Sequence, residues 1–120
     1  MSLTPGFQWI DNHCHLEDDL SLDSVLAASS EAGVTQMITV GTDAVSSASC
    51  VALAAQYEQV WATVGLHPHD AAEGLDAVLE VVKANAGNPK MVAIGECGLD
   101  YHYDHAPRQI QRKVFAQQIA

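Results

Sequence analysis

Four short apolar runs, each closing on turn residues and each followed by helix-spaced residues, restrict this chain of 120 residues more than any other feature. The runs are Phe7-Gln8-Trp9-Ile10, Val34-Thr35-Gln36-Met37-Ile38-Thr39-Val40, Val60-Trp61-Ala62-Thr63-Val64 and Met91-Val92-Ala93-Ile94. Their shortness and their β-branched and aromatic content suit strands, and the apolar residues of the first suit a buried one. Leu22, Val25 and Leu26 have helical spacing within Leu20 to Ala32, and Gly33 is a natural stop. A second helix is expected through Val51 to Ala55 behind Gly41-Thr42-Asp43, whose polar side chains suit a cap. Leu75 to Val82 reads as a third helix, Asn85 to Pro89 as a turn, and Pro107 to Ala120 as a fourth helix with proline near its first turn. Such alternation predicts a parallel sheet with right-handed crossovers, either a small doubly wound sheet or half of an eight-unit barrel. No linker, repeat or low-complexity tract divides the chain, so residues 1–120 read as a single domain.

Chemistry-bearing residues collect where the runs end. Asp11-Asn12-His13-Cys14-His15 follows the first run, and side chains two apart on a strand point the same way. His13 and His15 therefore read first as a metal chelate, because neutral imidazole is the commonest protein ligand for zinc and related metals. Histidines at this spacing also serve as hydrogen-bonded surface residues, so context must decide. The fourth run supplies some: it closes on Gly95-Glu96, setting a carboxylate at a second strand end. If these strands are parallel neighbours, their carboxyl ends share the face on which α/β enzymes place their chemistry. His or Glu follows three of the four runs, which suits the carboxyl face of a barrel, although a complete barrel typically takes about 250 residues.

Composition narrows the classes. A hydrophobic content of 48% is enough for a core. No apolar stretch reaches the roughly 18 to 20 residues of a membrane span, and Met1 to Gly6 lacks the pattern of a secretory signal, so a soluble, cytoplasmic protein with no membrane partner is expected. Cys14, Cys50 and Cys97 are odd in number and widely spaced, which fits reduced packing thiols. Strand alternation also turns Cys14 away from the face of His13 and His15. Fifteen acidic against five basic residues give a formal charge of −10, which counts against a nonspecific nucleic-acid binder. An enzyme acting on phosphodiesters stays open, since bound cations reverse the potential locally.

Five motifs in order resemble the TatD family of metal-dependent hydrolases, within the broader amidohydrolase-like barrels. They are Asp11-Asn12-His13-Cys14-His15-Leu16, Met37-Ile38-Thr39-Val40-Gly41-Thr42, Val64-Gly65-Leu66-His67-Pro68-His69-Asp70-Ala71, Ile94-Gly95-Glu96-Cys97-Gly98-Leu99-Asp100-Tyr101, and Gln111-Arg112 with Phe115 and Gln118. The resemblance implies an α/β fold, a TIM-like (β/α)8 barrel of which this chain supplies about the first four β/α units. It implies one or two divalent ions, among zinc, manganese, magnesium and nickel, with His13 and His15 binding one and Glu96 able to bridge two. The histidine corresponding to His67 lies near the substrate phosphate, so His67 is expected to donate a hydrogen bond to a phosphoryl oxygen. The implied activity is hydrolysis of DNA or another phosphodiester by metal-activated water.

Family members draw two further metal histidines and a catalytic aspartate from later strands, and nothing here replaces them. Glu96 is then the candidate base of this chain, with weak turnover expected. His69, His102 and His105 are expected to be ordinary loop residues, and Asp100 and Asp104 to hold loop geometry. Two other readings follow from the same residues. One is hydrolysis of an amide, ester or lactone, for which related barrels use the same His-x-His opening. The other is a silent, truncated barrel fragment that self-associates through open sheet edges or binds a partner.

Overall fold

The computed structural model describes residues 6–120, so the segment assessed for a signal pattern lies mostly outside the described residues. Among these residues, strands β1 (Trp9–Cys14), β2 (Val34–Thr39), β3 (Val60–Val64) and β4 (Met91–Ile94) form one sheet in the order β1-β2-β3-β4. Every neighbouring pair is parallel. Helices α1 (Leu22–Glu31), α2 (Ala44–Gln56), α3 (Asp76–Ala84) and α4 (Arg108–Ile119) follow the strands in turn, with a 3-10 segment at Pro68–Glu73 after β3. Sequential order with parallel pairing is the arrangement of successive units in a (β/α)8 barrel, and it sets all four strand ends on one side. None of the helices is long and apolar enough to cross a membrane.

Local chemistry accounts for the element boundaries. Gly33 takes φ of 91°, a left-handed conformation that ends α1 without the strain a side chain would bring. Asp43 caps α2 by accepting from the Ser46 N–H at 2.7 Å, while the Ser46 hydroxyl accepts from the Asp43 N–H at 3.0 Å. This reciprocal box starts the helix well before Val51. Central strand β3 is the most buried, with Val60, Ala62 and Val64 all at 0% exposure beneath the helices. Leu22, Leu26, Met37, Leu53 and Ala62 form one apolar cluster, and Val64, Leu66, Leu75, Val78 and Val114 form the other.

The first strand differs from expectation. It runs from Trp9 to Cys14 rather than over Phe7 to Ile10, because pairing with β2 begins where the Trp9 N–H donates to the Gly33 carbonyl at 2.8 Å. It is not buried: Trp9 and Ile10 are each 60% exposed. An apolar run signals what a strand can bury, but β1 has a neighbour on one side only, and its outer side meets no other element of the sheet.

Candidate metal centre

The strand ends deliver His13, His15, His67 and Glu96 to one point. The His13 and His15 Nε2 atoms lie 3.5 and 3.8 Å from Glu96 Oε2, and His67 Nε2 lies 3.5 Å from Oε1. Ligand atoms of His13, His15 and Glu96 all fall within 4.8 Å of one another, a spacing that one cation can bridge. The His13 and His15 rings stand edge to face at 5.2 Å. His13 and His15 are half-exposed, whereas His67 is only 22% exposed, on the inner side of the carboxylate.

Two of these imidazoles have their tautomers set by the backbone, in opposite senses. His15 Nδ1 is 3.1 Å from the Val40 carbonyl, which can only accept, so Nδ1 carries the proton and Nε2 keeps its lone pair for a cation. His67 Nδ1 instead accepts from the His69 N–H at 3.0 Å, which puts the proton of the neutral ring on Nε2. His15 thereby presents a lone pair, and His67 a donor, toward the Glu96 carboxylate. The division follows from two carbonyl and amide positions that the sequence does not display.

Buried polar side chains hold these ends together. Thr63, 7% exposed on β3, donates to the Gly95 carbonyl at 2.7 Å and accepts from the Gly41 N–H at 3.2 Å. The Glu96 N–H donates to the Gly41 carbonyl at 2.6 Å. One hydroxyl and one amide therefore join the ends of β2, β3 and β4 beneath the carboxylate. Thr39 accepts from the Leu16 N–H at 3.1 Å, fixing the chain just past His15. The Ser47 hydroxyl lies 3.2 and 3.3 Å from the Gly65 nitrogen and oxygen. Sequence reasoning missed all three, because a lone Thr or Ser within an apolar run is compatible with simple strand or helix packing.

The glutamines of the last motif are loop clamps. Gln111, 1% exposed, accepts from the Asp100 N–H at 2.8 Å and donates to the Asp100 and Ala106 carbonyls at 3.0 and 2.9 Å. Gln118 accepts from the Leu66 N–H at 2.9 Å and donates back to the Leu66 carbonyl at 3.2 Å. Helix α4 thus positions both the loop bearing His67 and the loop beyond Glu96. Asp100 holds loop geometry, as expected, by accepting from the His102 and Tyr103 N–H groups at 3.2 and 3.3 Å. Desolvation works against its charge, but those amides and the His69 ring keep the carboxyl below its usual range. His69 departs from the expectation of an ordinary loop residue: it sits in the 3-10 segment with Nε2 2.9 Å from Asp100 Oδ2, tying the β3 and β4 loops. That partner is 31 residues away in sequence, beyond the reach of local patterns.

The thiols stand apart from the cluster. Cys14 turns its Sγ toward the Ile38 carbonyl at 3.4 Å and packs against the first apolar cluster. Burial, then the charge of Asp11 and the neighbouring Cys50, pushes its thiol up to about 11, so it stays protonated at neutral pH. Burial and the charge of Glu96 raise Cys97 as well.

Close packing of strand ends yields a prediction. A Cβ on Gly65 would lie 2.5 Å from the Gly95 carbonyl carbon and 2.6 Å from its oxygen, both backbone atoms that cannot swing aside. Gly65→Ala is therefore expected to cost about 3 kcal/mol, read as a lowered urea midpoint with unchanged slope. An unchanged midpoint would show that β3 and β4 separate there without penalty.

Comparison with known proteins places this geometry. Residues 10–120 match the family model described as TatD related DNase. The chain is 35% identical over 113 residues to the uncharacterized metal-dependent hydrolase YabD of Bacillus subtilis, covering 92% of this chain and 44% of that protein. It is 37% identical over 97 residues to the 3'-5' ssDNA/RNA exonuclease TatD of Escherichia coli, covering 81% of this chain and 37% of that protein. Among solved structures, the TatD homologue YJJV of Escherichia coli superposes with a TM-score of 0.79 at 34% identity, over 92% of this chain and 45% of the other. A TatD family hydrolase from Entamoeba histolytica gives 0.79 at 24% identity, a likeness of fold. The chain thus spans less than half the length of these relatives, and its sheet corresponds to the first four units of their barrels.

Proposed function

Since the chain belongs to the TatD related DNase family, we propose that it forms part of a metal-dependent hydrolase of phosphodiester bonds, with DNA or another nucleic acid as substrate. The observation that carries this reading is the convergence of His13, His15 and Glu96 ligand atoms within 4.8 Å, with His67 on the far carboxylate oxygen. The donor set suits a divalent cation: imidazole nitrogens with a free lone pair at His15, and a carboxylate with an oxygen facing each side. His13, His15 and Glu96 would hold such an ion, and Glu96 has a second oxygen to share with another. Nitrogen and oxygen donors of this kind accept zinc, manganese, nickel or magnesium.

When bound, a divalent ion supplies Lewis acidity, lowering the pKa of water and neutralising charge on phosphoryl oxygens. The chain's own residues do the rest. His67, protonated on Nε2, donates toward a nonbridging phosphoryl oxygen as negative charge gathers on it. Glu96 would hold the ions in register, and in our reading it takes the proton from water that a later-strand aspartate takes in the family. The donor tautomer of His67 favours the phosphodiester reading over hydrolysis of an amide, ester or lactone, because the donor serves an anionic oxygen at the outset.

The test is hydrolysis by the metal-equilibrated chain of a single-stranded oligonucleotide and of a carboxylic ester in parallel. Cleavage of the oligonucleotide alone, reduced about tenfold or more by His67→Phe, is the expected result. Ester cleavage without oligonucleotide cleavage would overturn the proposal. Because Phe cannot donate but fills a similar space, retained rates in that variant would remove His67 from the site.

A further inference from the structure

The loop between β4 and α4 presents exposed aromatic rings that the hydrolytic steps leave unused. Tyr103 is 65% exposed, yet neighbouring rings set its plane. His105 lies parallel to it within 4° at 5.9 Å, and His102 and His69 meet it edge-on at 4.6 and 5.7 Å. The His69 ring is 4.3 Å from His67, whose Nε2 is 3.5 Å from Glu96. Tyr103 therefore stands two rings away from the carboxylate, oriented but open to solvent.

Positive charge gathers on the helix that follows this loop. Arg108, Arg112 and Lys113 are three of the chain's five basic residues, and all belong to α4 in a chain whose formal charge is −10. Arg108 covers the Tyr101 ring at 4.4 Å and is paired with Asp104 at 2.8 Å. Arg112 donates to the Tyr101 hydroxyl at 3.1 Å, and no carboxylate pairs with it among the described residues. An open, preoriented ring on the loop, followed by a helix that carries cations at Tyr101, answers to a single nucleic-acid strand, which offers unpaired base faces and a phosphate backbone.

We propose that Tyr103 stacks on the nucleobase next to the phosphodiester held at Glu96, and that Arg112 contacts a neighbouring phosphate. This assignment rests on the phosphodiester reading above and adds to it the residues that grip the strand. A duplex keeps its base faces inside and gives Tyr103 nothing to stack on. The same arrangement makes binding tolerant of base identity, because every base has a π-face.

The experiment is fluorescence anisotropy of the metal-equilibrated chain with a labelled phosphorothioate oligothymidylate, which resists cleavage, and with a matched abasic strand. Tyr103→Ala is expected to weaken binding to the oligothymidylate about tenfold, Tyr103→Phe to leave it near the parent value, and the abasic strand to bind parent and Tyr103→Ala alike. Arg112→Gln is expected to weaken both strands and to reduce the salt slope by about one. Parent-like binding of the oligothymidylate by Tyr103→Ala, or an unchanged salt slope in Arg112→Gln, would overturn the assignment while leaving the phosphodiester reading intact. A parent chain that binds neither strand would sink both.

Discussion

A chain carrying His13→Ala and His15→Ala together is expected to hold no zinc or manganese after equilibration and desalting, where the parent holds at least one ion per chain. Elemental analysis reads this directly. The two imidazoles face the same carboxylate oxygen, and the Val40 carbonyl fixes His15 in its ligating tautomer. Losing outer partners of metal ligands already lowers affinity about 10- to 100-fold, so losing two ligands is expected to exceed that range. Both side chains are half-exposed and lie outside the two apolar clusters, so the variant should keep its fold and show the urea midpoint of the metal-free parent. Cys14→Ala, its sulfur directed toward the Ile38 carbonyl, should bind metal as the parent does. Full metal content in the double variant would move the centre elsewhere, and none in the parent would favour a silent barrel fragment.

The other large effect belongs to Glu96→Gln. This replacement keeps size and shape but removes the negative charge that three imidazoles face within 3.8 Å. Hydrolysis by the metal-equilibrated chain should fall about 100-fold or more, the ordinary contribution of a positioned base, and metal affinity should fall with it. Its backbone anchor to the Gly41 carbonyl does not depend on the side chain, so stability measured without metal should hold. Hydrolysis at the parent rate would remove Glu96 from the catalytic role. Loss of metal alone, with rate restored at saturating metal, would leave it a ligand and nothing more.

Much of the framework was legible in residue order. Val60–Val64 and Met91–Ile94 form strands over the expected residues, because a short β-branched run between turn signals has few alternatives. The cap at Asp43 was also visible, though the reach of α2 back to Ala44 was not: Ser46, Ser47 and Ser49 weaken the helical pattern until the Ser46 hydroxyl is seen closing the box. Convergence of His13, His15 and Glu96 followed from parallel strands sharing an end. The supports did not. Thr63, Ser47 and Gln111 act through backbone groups 5 to 32 residues away, and such pairing has no period to detect. His69 and Asp100 were each read alone, since nothing in either segment announces the other.

The Thr63 hydroxyl carries one more consequence. It binds the Gly41 amide on one side and the Gly95 carbonyl on the other, so the loop that ends β2 and the loop that delivers Glu96 cannot drift independently. Occupancy of the centre and integrity of the sheet then become one thermodynamic quantity: an ion present at 100 times its dissociation constant adds about 2.7 kcal/mol to the folded state. Chelators should hasten proteolysis of the whole sheet. Conversely, a substitution deep under β3 will masquerade as a ligand mutation in any screen that ranks variants by metal uptake, so uptake must be compared at matched fractions of folded chain.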